Sequence, residues 1–65
     1  MSARNIFRVI PKGRKWQVRK NGSILSSHAQ KKCAVEDAVQ MAEDVISSQV
    51  IVYRPDGSLQ KGFVN

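Results

Sequence analysis

The residues of this sequence best equipped for chemistry are its lysines and arginines, and their placement is lopsided. Arg4, Arg8, Lys12, Arg14, Lys15, Arg19, Lys20, Lys31 and Lys32 fall in residues 1–32, which contain no aspartate or glutamate. Residues 33–65 set Arg54 and Lys61 against Glu36, Asp37, Glu43, Asp44 and Asp56. Such asymmetry, within a net charge of +6 and a pI near 10.1, points to a polyanionic partner. Lysine and arginine hold phosphates without reading sequence, by an attraction that salt weakens steeply. Arg8, Lys12, Arg14, Lys15, Arg19 and Lys20 are the candidate phosphate contacts. A solvated surface that keeps the protein soluble is the plainer reading of the same residues.

The remaining reactive side chains assemble into nothing comparable. Cys33 and His28 are the only thiol and the only imidazole. A nucleophile and base of that kind need an orienting third group and an oxyanion site, and no motif supplies them. Cys33 reads instead as a half-buried structural residue. One Cys and one His fall short of the four ligands of a structural zinc site. Glu36-Asp37 and Glu43-Asp44 stand seven residues apart, about 10 Å along a helix, which is too far to share one ion. No glycine-rich phosphate loop is present. The expectation is a binding protein without catalytic residues, metal or cofactor.

What must position the basic residues is a pair of hairpins. Residues 5–10 are β-branched and aromatic, with Pro11 ending the run, and residues 15–20 alternate with the period of a half-buried strand. Pro11-Lys12-Gly13-Arg14 reads as the turn between them. Asn21-Gly22 favours a two-residue turn because both residues tolerate positive φ, and residues 23–27 return antiparallel. That register sets Lys20 opposite Ser23, Arg19 opposite Ile24, Val18 opposite Leu25 and Trp16 opposite Ser27. One face then carries Trp16, Val18 and Leu25, joined by Phe7 and Val9. The other carries Arg8, Lys15, Gln17, Arg19 and His28, with Ile6, Ile10 and Ile24 among them.

From about residue 31 to 48 the apolar period becomes helical. Ala34, Ala38, Met41, Val45 and Ile46 form a stripe, widened by Val35 and Ala42, opposite Glu36, Gln40, Glu43 and Ser47. Gln30 is a poor cap for the helix start. Residues 49–53 read as a fourth strand and residues 58–63 as a fifth, joined by Arg54-Pro55-Asp56-Gly57 as a type I turn. The fold expected is α+β: an antiparallel sheet in βββαββ order, one helix packed on its apolar face, and one domain spanning residues 1–65.

Several of these segments together resemble a family of short bacterial proteins catalogued as domain of unknown function 2188. The resemblance rests on Val9-Ile10-Pro11, Trp16-Gln17-Val18-Arg19, Asn21-Gly22, Ala34-Val35-Glu36-Asp37-Ala38 and the run from Val50 to Gly57. It implies a compact bacterial α+β domain and carries no assigned activity.

Sixty-five residues bury too small a share of their surface for a secure monomer, and a single cysteine cannot supply an internal disulfide. Self-association as a homodimer is therefore expected. A lone cysteine and the lack of an apolar leader or spanning run suggest the cytoplasm, without membrane contact. The function expected is nucleic-acid binding with little sequence specificity. The alternative is a protein-interaction module, accessory or inhibitory, that meets an acidic protein through the isoleucine-bearing basic face and an edge strand.

Overall fold

The structure, a computed structural model, describes residues 5–64, excluding the side chains of Lys61, Phe63 and Val64. Arg4 and the rest of residues 1–4 therefore lie outside the description, as does Asn65. The elements are β1 (Asn5–Lys12), β2 (Lys15–Lys20), β3 (Ser23–His28), α1 (Lys31–Glu43), β4 (Ser48–Tyr53) and β5 (Leu59–Val64). Their order along the chain is the expected βββαββ. The sheet, however, is mixed rather than antiparallel. Its strand order is β3-β2-β1-β4-β5, and β4 lies parallel to β1 at the centre. The cause is the connection: two hairpins leave β3 running in the direction of β1, and a crossover through a helix returns the chain parallel to both.

Tight turns create the hairpins. Asn21 (φ 49°) and Gly22 (φ 94°) both occupy the left-handed region, as a primed two-residue turn requires. The first hairpin is as tight, with Lys12 opposite Lys15 and Gly13 at φ 63°. Pro11 does not end β1. It pairs with Trp16 beyond Val9, the last residue of β1 aligned with β4, so its missing N–H costs no bond to that neighbour.

The core lies between the sheet and the helix. Phe7 and Val9 of β1, Val18 of β2, and Val50 and Val52 of β4 are buried beneath Ala34, Ala38 and Ala42 of α1. Alanine at every fourth position keeps that helix face shallow, so the backbone can settle close to the valines. Burying each valine contributes about 1.5–3 kcal/mol before chain entropy is set against it. Trp16, Val35, Val39, Met41 and Val45 close the rim. The helix packs on β1 to β4.

The helix is about one turn shorter than its apolar period suggested. Val45 N–H donates to the Ala42 carbonyl at 3.1 Å, and the Ser48 hydroxyl donates to that same oxygen at 2.9 Å. Ser47, at φ 59°, then reverses the chain into β4. Ile46, expected in the apolar stripe, is consequently 90% exposed.

β3 also departs from the expected register. Lys20–Ser23 and Arg19–Ile24 pair as anticipated, but Val18 then faces Ser26 and Trp16 faces His28, which leaves Leu25 as a one-residue bulge. Because side chains alternate with period two, the bulge exchanges the faces. Leu25 is exposed rather than core, and His28 leaves the basic face for the helix side.

Candidate nucleic-acid interface

The side of the sheet away from the helix is built mainly by β1 and β2. Phe7 and Val9 point to the core, so Arg8, Ile10 and Lys12 point away from it. Their partners across the hairpin are Arg19, Gln17 and Lys15. The open face thus holds two rungs of like charge, Arg8–Arg19 and Lys12–Lys15, separated by an Ile10–Gln17 rung. The charged rungs are four residues apart along β1, about 13 Å at the rise of a strand. Like charges directly opposite on a sheet destabilise it by roughly 0.2–1 kcal/mol per pair. The fold therefore carries these rungs at a cost.

Among the described residues no carboxylate pairs with them. Glu36, Asp37 and Glu43 lie on α1, Asp44 caps its end, and Asp56 sits in the turn after β4. Among the described residues the one carboxylate in an ion pair is Asp37, and its partner is His28. The nearest help for a cation on the open face is neutral. Arg19 donates from Nε and Nη2 to the Gln17 Oε1 oxygen, at 3.2 and 3.0 Å. That clamp fixes one edge of the guanidinium and directs the rest of the group outward. Along β4, Ile51 lies beside Arg8 and Gln49 beside Ile6. Aliphatic side chains therefore flank the arginine rung.

Five of the six expected contact residues share this side or its tip. Arg8, Lys12, Lys15 and Arg19 stand on the open face, and Arg14 is exposed in the turn. Lys20 does not join them. It pairs with Phe7 on the helix side, and its Nζ lies 5.8 Å from the centre of the Phe7 ring.

On the opposite side, His28 belongs to a polar triangle that sequence reasoning missed. Ser26 Oγ donates to Asp37 Oδ2 at 2.8 Å, and His28 Nε2 lies 2.9 Å from that oxygen. Ser26 Oγ and His28 Nε2 are themselves 3.2 Å apart. The Ser26 hydroxyl and then His28 hold the Asp37 carboxyl below its ordinary value of 3.8. The residue types are those of a serine hydrolase, but the wiring is not. Serine and histidine converge on one carboxylate oxygen, and a single ring nitrogen faces both, so the imidazole cannot relay a proton from one to the other. The triangle fastens edge strand β3 to α1. Only the bulge at Leu25 brings Ser26 and His28 to this side, and nothing in the alternation of residues 23–28 announces it.

Trp16, also on the helix side, has Lys31 Nζ 5.3 Å from its ring centre, and Lys31 donates a hydrogen bond to Gln60. Cys33, expected half-buried, is exposed. Among the described residues no three His, Cys, Asp or Glu side chains group closely enough to hold a metal ion. No described helix is long and apolar enough to cross a membrane.

The chain belongs to the family of domain of unknown function 2188, described as an uncharacterized protein conserved in bacteria, whose profile matches residues 7–62. Nothing among the curated proteins or the solved structures matches the chain.

Proposed function

We propose that the protein binds nucleic acid through the open face of its sheet, gripping phosphates with little regard for sequence. One observation carries the reading: two stacked rungs of like charge, Arg8–Arg19 and Lys12–Lys15, on strands that contain no carboxylate. A surface kept only for solubility mixes both signs and avoids placing like charges directly opposite. A polyanion laid over the rungs would turn that repulsion into attraction. Arg8, Lys12, Arg14, Lys15 and Arg19 carry the binding. Lys20 contributes only through the long-range field, since it stands over Phe7 on the other side.

The working form is a homodimer in the cytoplasm, where the exposed Cys33 stays reduced. Bulges at Leu25 and Gln60 interrupt both edge strands, which discourages pairing of edge backbones. Self-association would use apolar side chains such as Ile24 and Leu25, which are 57% and 44% exposed. The same two residues favour a second reading, a protein-interaction module that engages an acidic partner beside the basic face.

Binding to a mixed-sequence duplex and to a single strand, each at two salt concentrations, separates the readings. For phosphate binding, the Arg14→Ala, Lys15→Ala, Arg19→Ala triple variant loses affinity and about 2.7 units of salt slope, while Glu43→Ala on the helix binds as well as wild type or better. Full affinity of a folded triple variant on both probes would transfer the function to the protein-interaction reading.

A further inference from the structure

Neither neighbouring strand pairs with the end of the first hairpin. β3 pairs with β2 no further than Trp16, and β4 is aligned with β1 no further than Val9. Lys12, Gly13, Arg14 and Lys15 therefore form a two-stranded tongue with no strand beside it. Lys12, Arg14 and Lys15 are all exposed on it, and no carboxylate lies on either strand. Arg8 and Arg19 follow on the open face about 13 Å behind the tip rung.

We infer that this tongue enters the major groove of B-form duplex DNA, a proposal that rests on the nucleic-acid reading above and narrows it to one form. Width selects the groove. Two paired strands, about 4.8 Å apart and carrying side chains on their flanks, fit a groove about 12 Å wide and not one about 6 Å wide. The full five-stranded sheet spans about 19 Å between its outer strands and cannot enter face-on, so the projecting part is what can go in. The deep, narrow major groove of A-form RNA refuses the same insertion. Single strands are held on aromatic platforms. Here Trp16 is on the helix side under Lys31, and among the described side chains the open face offers a single aromatic, Tyr53 next to buried Val52 on β4, which is too few for successive bases to stack.

With the tongue inserted, Lys12, Arg14 and Lys15 lie between the two phosphate backbones. The Arg8–Arg19 rung, behind them on the same face, meets the backbone at the groove's rim. Gln17 is a positioning residue. By holding the Nε edge of Arg19 it keeps the other edge of the guanidinium turned outward, where two parallel hydrogen bonds to one phosphate can form.

The test compares the full-length chain on three probes of one length at low salt: a mixed-sequence DNA duplex, the RNA duplex of matching sequence and an oligothymidine strand. The expected result is binding to the DNA duplex at least about tenfold tighter than to the other two. Netropsin in the minor groove should leave that binding intact, whereas glucosylated hydroxymethylcytosines in the major groove should abolish it. Lys12→Ala, Arg14→Ala, Lys15→Ala should remove the preference, while Arg8→Ala, Arg19→Ala should weaken all three probes alike. Gln17→Leu should lower duplex affinity several-fold, and Gln17→Glu, which keeps an oxygen acceptor for Arg19, should recover part of it in high salt, where the added charge is screened. Equal binding to the three probes, a preference for single strands or RNA, or competition by netropsin would overturn the groove assignment and leave nucleic-acid binding standing. No binding to any probe at low salt would overturn both.

Discussion

Phe7 and Arg8 are neighbours in sequence and belong to opposite halves of the molecule. Phe7 lies under the helix with 2% of its surface exposed, among valines and alanines that hold the fold together. Arg8 faces outward opposite Arg19, in a pairing that works against the fold. The polar groups divide in the same way. On the helix side Ser26, His28 and Asp37 satisfy one another, and Ser48 donates to the Ala42 carbonyl. On the open side the strongest interaction of a cation is the neutral clamp between Arg19 and Gln17. Residues that the fold uses have partners within it. Among the described residues the open-face cations have no partner of opposite charge, which the proposed nucleic acid would supply.

Substitutions at the two neighbours should break this comparison or sharpen it. Phe7→Ala removes a buried ring and should cost about 3–5 kcal/mol. That approaches the whole stability of a domain this size, about 3–10 kcal/mol at 0.05–0.15 kcal/mol per residue. Loss of the cooperative thermal transition in circular dichroism is the expected outcome. A variant still melting near the wild-type temperature would show that the helix-side core is not where the stability resides.

The triangle comes next in size. Asp37→Ala should lower stability by about 1 kcal/mol, the net worth of one or two hydrogen bonds discounted for a side chain that is 34% exposed. Its pH dependence has a definite sign. The folded state holds Asp37 below 3.8, so it binds fewer protons there than the unfolded chain does. The contribution is complete above that ordinary value and fades as pH falls through the lowered one. Urea melts of wild type should therefore weaken below about pH 4 by more than those of Asp37→Asn. Parallel pH profiles would remove the triangle from the account of stability.

Much of the helix side was legible from sequence, and the reasons are local. Alternation in residues 5–10 and 15–20 assigned Phe7, Val9, Val18 and Trp16 to one face, and Asn21-Gly22 fixed the first two pairs of the second hairpin. The same alternation carried Arg8, Lys15 and Arg19 to the open face. Legibility stopped at the bulge. An extra residue at Leu25 has no compositional mark in Ser-Ile-Leu-Ser-Ser-His, yet it reverses every side chain that follows. The parallel seat of β4 was hidden for a different reason. A crossover fixes the direction of a strand relative to the one before it, but its place beside β1 depends on burying Val50 and Val52 under a helix formed elsewhere in the chain. The helix end was missed because Ser48 competes for the Ala42 carbonyl from beyond the apolar stripe.

The smallest effect on stability is expected on the open face itself. Arg8→Ala should change it by no more than about 0.5 kcal/mol, since Arg8 is half-buried outside the core and the packing its stem loses is offset by relief of the like-charge rung. Arg8→Glu should stabilise the fold slightly, by roughly 0.2–1 kcal/mol, because it converts a like-charge rung into an opposite-charge one. Thermal melts at low salt would register either change, and a destabilised Arg8→Glu would mean that the rung is part of the fold after all.

The sharpest test joins both halves of the comparison in one protein. The affinity of Arg8→Glu for a mixed-sequence DNA duplex should be measured against wild type across a salt series, alongside its melting temperature. The account predicts a melting temperature equal to or above wild type, a large loss of affinity at low salt, and a salt slope shallower by at least about one unit. Wild-type affinity and slope in a folded Arg8→Glu protein would contradict it.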